Sequence, residues 1–255
     1  IQKSIENPIE CQNKILKGNL EFSKNTLFGK KYLFNQIDNY RYFKEMIPLY
    51  DYNSIKKYIS LSMNYKSDVL WPGKIKWYAK SSGTTNDQSK FIPITKESLR
   101  FCHFKAGKDM LSIYFQSNPK SKLLTGKSLM IGGSTSINQS KYSCVGDLSA
   151  IIIKNLPIWV QIKRLPSIKT ALLENWEEKI QNIILESKHQ NITSISGVPS
   201  WMAIIIDKLI SKMNVTCLSD IWPNIELYMH GGVSFENYRE SFKNYIKKKK
   251  INFLE

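Results

Sequence analysis

The sequence predicts an α/β protein with mostly parallel sheets flanked by helices. From about residue 70 onward, short apolar segments typical of strands alternate with amphipathic segments typical of helices. Several predicted strands run into turns that contain glycine, as strands do where a sheet binds a ligand at its carboxyl edge. The 255 residues are 42% hydrophobic and 23% charged, which is the balance of a globular protein with a substantial core.

The elements follow in order from periodicity and capping signals. We expect residues 1–65 to be a mainly helical segment packed on the main domain, and residues 66–255 to be the α/β portion. The predicted strands are Lys74–Ala79, Phe91–Ile94, Ser128–Gly133, Ile192–Ser196, Ile225–His230 and Ile251–Leu254. The predicted helices run from Asp51 onward, over Lys96–Phe115, over Ser167–Lys188, from Pro199 to Met213, and over Glu236–Ile246.

The net charge of +16 raises the possibility of a nucleic-acid-binding protein. Lysines number 33 and arginines only 4, whereas direct readout of phosphate and guanine favours arginine. The lysines are spread along the chain, and the dense run Lys247–Lys250 is most simply a solvated connection between a helix and a strand. We therefore expect no specific nucleic-acid partner.

The four cysteines, Cys11, Cys102, Cys144 and Cys217, are far apart and form no metal-binding pair. This spacing predicts reduced thiols, which are typical of the cytoplasm. No apolar run reaches the ~20 residues needed to span a bilayer. We therefore expect a cytoplasmic protein without a membrane partner.

A loop of small polar residues follows the first predicted strand. Residues 80–90 read KSSGTTNDQSK. Glycine lets the backbone approach an anion, hydroxyls and turn N–H groups donate to phosphate oxygens, and Lys90 adds a positive charge. The loop is neither a Walker loop nor a dinucleotide-binding fingerprint, because it contains a single glycine. It predicts a phosphate site, with a polar hairpin between two strands as the alternative.

Several segments together resemble one known family. They are VLWPG (69–73), KFIPIT (90–95), ISGVPSWM (195–202), and WPN (222–224) through HGGVSF (230–235). The loop SSGTT (81–85) followed by Lys90 resembles the phosphate-binding signature of adenylate-forming enzymes. In order and spacing, nearly the whole chain resembles the bacterial branch of the auxin-responsive (Gretchen Hagen) family of acyl-acid amido synthetases.

The resemblance implies a fold and a reaction. The fold is the large N-terminal domain of an adenylate-forming, acyl-CoA-synthetase-like enzyme. In the reaction a carboxylic acid attacks ATP to give an acyl-adenylate and pyrophosphate, and an amino acid amine then attacks the adenylate to form an amide. ATP and Mg²⁺ are the implied cofactors. A small carboxylic acid and an amino acid are the implied partners.

Site residues are carried over from the matching segments. The expected cradle of the β- and γ-phosphates comprises Ser81, Ser82, Gly83, Thr84, Thr85 and Lys90, with Lys90 as the catalytic residue. The expected adenine and α-phosphate side comprises Gly231, Gly232, Val233 and Ser234. The expected acyl pocket comprises Gly197, Val198, Pro199 and Trp201. No metal-ligating residue is assigned.

Simpler interpretations stay open for these segments. Gly231 and Gly232 also suit a plain tight turn, and core packing explains Trp201 about as well as an acyl wall. His230 is interpreted first as a strand-end histidine and second as a general base. The Gly132–Ser134 loop is a further strand-end loop that would lie near the acyl site.

We expect the chain to be an N-terminal fragment. It ends in an apolar, strand-like run, and the family continues with an aromatic-x-x-Ser-Glu segment, a Tyr-Arg-x-Gly-Asp-type motif and a small C-terminal domain, which are absent from the 255 residues. Such a fragment would have little activity alone. The alternative function is a non-catalytic nucleotide- or acyl-binding remnant.

Overall fold

The computed structural model describes residues 1–64, 66–81, 89–133, 138–139, 143–247 and 251–255. Contacts divide the chain into two compact units. The first unit comprises Ile1–Asp109 with Ile137–Leu148, and the second comprises Met110–Ser136 with Ser149–Glu255. The functional division predicted near residue 65 stays a prediction.

The described elements are short strands and mostly short helices. The strands are β1 (Trp77–Lys80), β2 (Phe91–Ile94), β3 (Lys127–Met130), β4 (Asn138–Gln139), β5 (Cys144–Gly146), β6 (Arg164–Leu165), β7 (Ile192–Ser196), β8 (Leu227–Met229) and β9 (Asn252–Leu254). The helices are α1 (Gln2–Glu6), α2 (Pro8–Ser23), α3 (Leu27–Lys31), α4 (Tyr40–Met46), α5 (Tyr52–Met63), α6 (Lys96–Ser98), α7 (Lys105–Ser117), α8 (Leu148–Asn155), α9 (Ile158–Lys163), α10 (Ile168–Ala171), α11 (Trp176–Ser187), α12 (Pro199–Met213), α13 (Leu218–Ile221) and α14 (Glu236–Tyr245).

The first unit contains a four-stranded mixed sheet in the order β2-β1-β5-β4. Strand β1 is antiparallel to β2 and parallel to β5. Pro93 lies on β2, an edge strand, where its missing N–H interrupts no ladder bond. Asp51 caps α5 by accepting a hydrogen bond from the Ser54 amide at 2.7 Å, as the sequence predicts. Thr95 and Ser98 form a capping box at α6.

The second unit contains a five-stranded parallel sheet in the order β6-β3-β7-β8-β9. From β3 the chain passes through α8 and α9 to β6 on one side of β3, and then through α10 and α11 to β7 on the other side. The strand order therefore reverses between β3 and β7, and ligands bind at the carboxyl edge of such a switch point. The prediction of an α/β fold with mostly parallel strands is confirmed.

Helices cover both faces of this parallel sheet. On one face, Leu129 and Ile195 of the sheet pack with Ile183 of α11 and Met202 of α12, and all four are buried. On the other face, Tyr114 of α7 packs with Leu123 and Leu227. Each fully buried aliphatic side chain stabilises the fold by about 1.5–3 kcal/mol.

The single helix predicted over Ser167–Lys188 is wrong. Two helices occupy this stretch, because two side chains start a helix within it. The Ser167 hydroxyl accepts from the Thr170 amide at the start of α10, and Asn175 accepts from the Glu178 amide at 2.9 Å at the start of α11. The apolar spacing continues through the break, so periodicity did not reveal it.

Two broader expectations are also addressed by the structure. Cys11, Cys102, Cys144 and Cys217 are free thiols, as their spacing predicts. Among the described residues, no helix combines the length and apolarity that a membrane crossing requires.

Candidate functional site

The carboxyl edge of the parallel sheet gathers three glycine-containing turns. They follow β3 at Gly132, β7 at Gly197 and β8 at Gly231, on three neighbouring strands. Because the strand order reverses between β3 and β7, the first two turns flank the switch point. This edge is the candidate functional site of the second unit.

Gly197 is required by the local geometry at the end of β7. Its φ is +149°, and a Cβ there would lie 2.9 Å from the Ile131 carbonyl oxygen, closer than real Cβ atoms approach backbone oxygens. The Gly197 amide donates to the Met229 carbonyl at 3.1 Å, and the Tyr228 hydroxyl donates to the Gly197 carbonyl at 3.0 Å. Both hydrogen bonds join the turn to β8, which thus fixes it from one side.

Gly232 is required by a left-handed turn at the end of β8. Its φ is +87°, and a Cβ there would lie 3.3 Å from Val198 Cγ2. A Cβ on Gly231 would meet no atom within 4 Å, and Val233 and Ser234 are exposed. A backbone surface free of side chains therefore lies beside Val198, which suits close approach of a flat ligand.

The first turn of α12 supplies an aromatic side chain to this edge. Pro199 is buried at the start of α12. The first N–H groups of a helix have no partner within it, so the missing N–H of proline costs no hydrogen bond there. Trp201 is 37% exposed, and its ring centroid lies 5.8 Å from that of Trp176. Trp201 thus packs beside Trp176 with more than a third of its surface exposed, and its role as an acyl wall stays a prediction.

His230 lies between β8 and the glycine turn. Its ring stacks on Phe235 at 4.0 Å, and its amide donates to the Leu254 carbonyl at 2.8 Å. Burial lowers the pKa of His230, and the positive charge of Arg239 acts in the same direction, while Glu255 opposes it. Its buried Nδ1 has no hydrogen-bond partner among the described residues. The imidazole is therefore neutral at neutral pH and is held mainly by stacking.

In the first unit, the serine-rich loop joins two paired strands. Lys80 of β1 pairs with Phe91 of β2, and the Ser81 amide donates to the Lys90 carbonyl at 2.9 Å. At its base the loop thus has the geometry of a hairpin, which was the alternative predicted for it. Ser82, Gly83, Thr84 and Thr85 lie outside the described residues.

Lys90 lies at the base of this loop beside α5. Its ammonium is 5.8 Å from the ring centroid of Tyr52, whose hydroxyl accepts from the Phe91 amide at 2.8 Å. Hydrogen bonds from Ser54 hold the pKa of Asp51 below its usual value, and the charge of Lys90 adds to this effect. The half-buried Lys90 therefore lies beside the Tyr52 ring, and its positive charge acts on the Asp51 carboxylate.

A family model described as the GH3 family N-terminal domain matches residues 1–251. The chain belongs to the GH3 family. A comparison with curated proteins finds no match.

The fold of this GH3 chain is similar to solved structures. One, described as "AtGH3.15 acyl acid amido synthetase in complex with 2,4-DB", is 16% identical with a TM-score of 0.71, over 96% of this chain and 52% of that one. Another, described as "GH3.15 acyl acid amido synthetase", is 15% identical with a TM-score of 0.73, over 97% and 52%. At these identities the likeness shows the fold, and the chain spans about half the length of the structures it matches.

The structure brings some of the predicted site residues of this GH3 chain together. Val198, predicted for the acyl pocket, lies against Gly232, predicted for the nucleotide. Ser81 and Lys90 meet through their backbones at the loop base. The roles of all these residues stay predictions.

Sequence reasoning missed Lys179, which is 1% exposed on α11. Its ammonium donates to the carbonyls of Gly132 and Gly133 at 3.2 and 3.3 Å, and it lies 6.0 Å from the Trp176 ring centroid. A signal was present, because Lys179 is three residues after Trp176 and four before Ile183, on the apolar face of the helix. A lysine at such a position is buried only when its charge has partners.

Proposed function

We propose that this GH3 chain binds ATP and a small carboxylic acid as the adenylating portion of an acyl-acid amido synthetase. The observation that carries the proposal is the glycine-lined carboxyl edge. Gly197 and Gly232 both occupy backbone conformations that favour glycine, at or beside the switch point of a parallel sheet, in a member of the GH3 family. Such an edge is where open α/β sheets bind nucleotides.

The proposed reaction has two steps. A carboxylate oxygen of the acid attacks the α-phosphorus of ATP, and the bond to pyrophosphate breaks. The amine nitrogen of an amino acid then attacks the acyl carbon, the bond to AMP breaks, and the amine loses a proton. The first step needs stabilisation of the charge that develops on pyrophosphate.

Each part of the chain has a proposed task in the first step. Lys90 and the loop that begins at Ser81 hold the β- and γ-phosphates. The turn at Gly231 and Gly232 packs against the adenine and α-phosphate. Trp201 forms a wall for the acyl group of the acid.

Mg²⁺ is proposed to arrive bound to ATP. The phosphate oxygens would hold the ion, and its positive charge would neutralise part of their negative charge. Within the described ranges, no three His, Cys, Asp or Glu side chains are grouped so that they would hold a metal ion. We therefore assign Mg²⁺ to no residue and derive no step from it.

A second candidate is a nucleotide- or acyl-binding protein without turnover. It rests on the same glycine-lined carboxyl edge, which can bind a nucleotide whether or not the nucleotide is consumed. On either proposal the 255-residue chain binds ATP. The two proposals differ in whether the bound nucleotide is consumed.

Acid-dependent exchange of labelled pyrophosphate into ATP separates the two candidates. The 255-residue chain is incubated with a panel of small carboxylic acids, and exchange is compared with a blank that lacks acid. Exchange with any acid supports the ligase and excludes the non-catalytic candidate. ATP binding without exchange agrees with the non-catalytic candidate and also with a ligase fragment that has little activity alone. Absence of ATP binding by calorimetry contradicts both.

A further inference from the structure

Arg164 is a buried cation whose terminal nitrogens are unpaired among the described residues. The residue is 4% exposed at the start of β6, yet Nη1 and Nη2 make no hydrogen bond to that part of the chain. Its Nε donates to Gln161 Oε1 at 3.1 Å, and Gln161 donates in turn to the Ile153 carbonyl at 2.8 Å. The guanidinium is thus held in place through Nε, while Nη1 and Nη2 are buried without a hydrogen-bond partner among the described residues.

No carboxylate among the described residues forms an ion pair with Arg164. Burial lowers the pKa of Arg164, and the negative charge of Glu186 partly opposes this. The Glu186 carboxylate itself accepts hydrogen bonds from Ser167 and Thr170 at the start of α10. An arginine stays protonated in proteins, so its buried charge requires an anion that these residues do not supply.

A second orphaned donor lies next to Arg164. Ser128 of β3 is its register partner, and the buried Ser128 hydroxyl also lacks a hydrogen-bond partner among the described residues. Ser194 of β7, 3% exposed, is the next residue in the same register row. Leu129 and Leu165, which follow Ser128 and Arg164 in the chain, belong to the core on the opposite face of the sheet. Because side chains alternate along a strand, the polar side chains of this row share the face away from that core.

We propose that Arg164 and Ser128 form a buried binding site for a small monovalent carboxylate. Two parallel Nη donors match the two oxygens of a planar carboxylate, and the serine hydroxyl supplies a further donor. One positive charge is balanced by a carboxylate, whereas a divalent phosphate would leave a buried negative charge uncompensated. The site goes beyond the proposed ATP-dependent function and needs no nucleotide.

The test is a thermal melt of the 255-residue chain in sodium acetate and in sodium chloride at equal ionic strength. We expect acetate to raise the Tm by roughly 2–4 °C at about ten times its Kd, and the rise to level off as the site fills. We expect chloride to leave the Tm unchanged. Arg164→Gln removes the acetate-specific rise. The matched control Arg41→Gln, at an exposed arginine, keeps it.

Two further variants separate acetate binding at Arg164 from acetate binding elsewhere on the protein. Ser128→Ala, a milder change should Arg164→Gln not fold, weakens acetate binding about 5–10-fold through loss of one hydrogen bond. Trp201→Ala keeps the rise, since Trp201 belongs to the proposed acyl wall. The proposal is overturned if acetate acts no differently from chloride on the wild type, or if Arg164→Gln keeps the rise; loss of the rise in Trp201→Ala would then place the bound acetate at the proposed acyl wall.

Discussion

The loop at Ser81–Lys90 in the first unit and the carboxyl edge at Gly197–Gly232 in the second are both proposed to bind nucleotide, and they are built differently. The loop offers hydroxyls and an ammonium, and its base is an ordinary pair of antiparallel strands. The carboxyl edge offers backbone, in conformations set by glycine and by contacts from neighbouring strands. The proposed binding would rest on side chains in the first region and on main-chain geometry in the second.

This difference has a consequence for mutagenesis. Removal of a half-buried side chain at the base of the loop, such as that of Lys90, is expected to lower ATP affinity and to leave the fold intact. A change that displaces main chain at the sheet edge alters folding and binding together. The predictions below use stability and ATP affinity as separate measurements to test that division.

The largest effect on stability is expected at Lys179. Lys179→Met leaves the buried carbonyls of Gly132 and Gly133 without their donor, which costs about 1–3 kcal/mol for each. Urea unfolding measures the free energy of unfolding. Lys208→Met is the control, because Lys208 is a surface lysine paired with Glu177, and such pairs contribute about 0–1 kcal/mol. Equal losses in the two variants would contradict a bonded role for the buried ammonium.

Lys90→Ala is expected to change binding and not folding. Loss of a charged donor to phosphate weakens ATP binding by roughly 1.5–3 kcal/mol, or about 10–150-fold in Kd. The free energy of unfolding, measured with urea, stays within about 0.5 kcal/mol of the wild type. Calorimetric titration with ATP gives the Kd. Lys80→Ala, an exposed lysine at the other end of the loop, serves as the control. Unchanged affinity in Lys90→Ala would remove Lys90 from the phosphate cradle.

Gly197→Ala is expected to destabilise the protein by roughly 1–3 kcal/mol. The added Cβ meets the Ile131 carbonyl oxygen in a conformation that alanine rarely adopts. Gly18→Ala, in the interior of α2 with open space around its Cβ, is expected to stabilise by about 0.5–1 kcal/mol. Urea unfolding of the pair checks the opposite signs. If both substitutions stabilise, the turn at Gly197 does not require glycine.

The smallest effect is the pH dependence from His230. Its folded-state pKa lies below the ordinary 6.5, so the unfolded state takes up the proton first as pH falls. The free energy of unfolding contributed by this group therefore decreases from about pH 6.5 downward, until the folded-state pKa is reached. Between pH 7.0 and 5.5 the free energy of unfolding, measured with urea, should fall less in His230→Phe than in the exposed-site control His189→Gln. An identical difference in both would exclude His230 as the source.

Much of the second unit was predictable because local signals agree there. The strand Ile192–Ser196, the proline that starts α12 and the glycines at Gly197 and Gly232 all indicate the same strand-turn-helix arrangement. The two-residue strand β6 was missed because it is too short to show an alternation. The helices α8 and α9 were missed because their 8 and 6 residues are fewer than the window over which helical periodicity is read.

Site residues that depend on long-range partners were harder to predict. Lys179 and Arg164 look like surface cations in sequence, and only the tertiary structure shows that both are buried. The carbonyls that Lys179 contacts lie about fifty residues earlier in the chain. Charge and periodicity place such residues on a helix or strand, but they do not name the partners.

The most direct test of the proposed nucleotide site is photolabelling with 8-azido-ATP, followed by tryptic mapping. The account predicts ATP-competed labelling within the peptide that runs from Met213 to Arg239 and contains the turn at Gly231–Ser234. Competed labelling that maps only to other peptides, or labelling that ATP does not reduce, would contradict it.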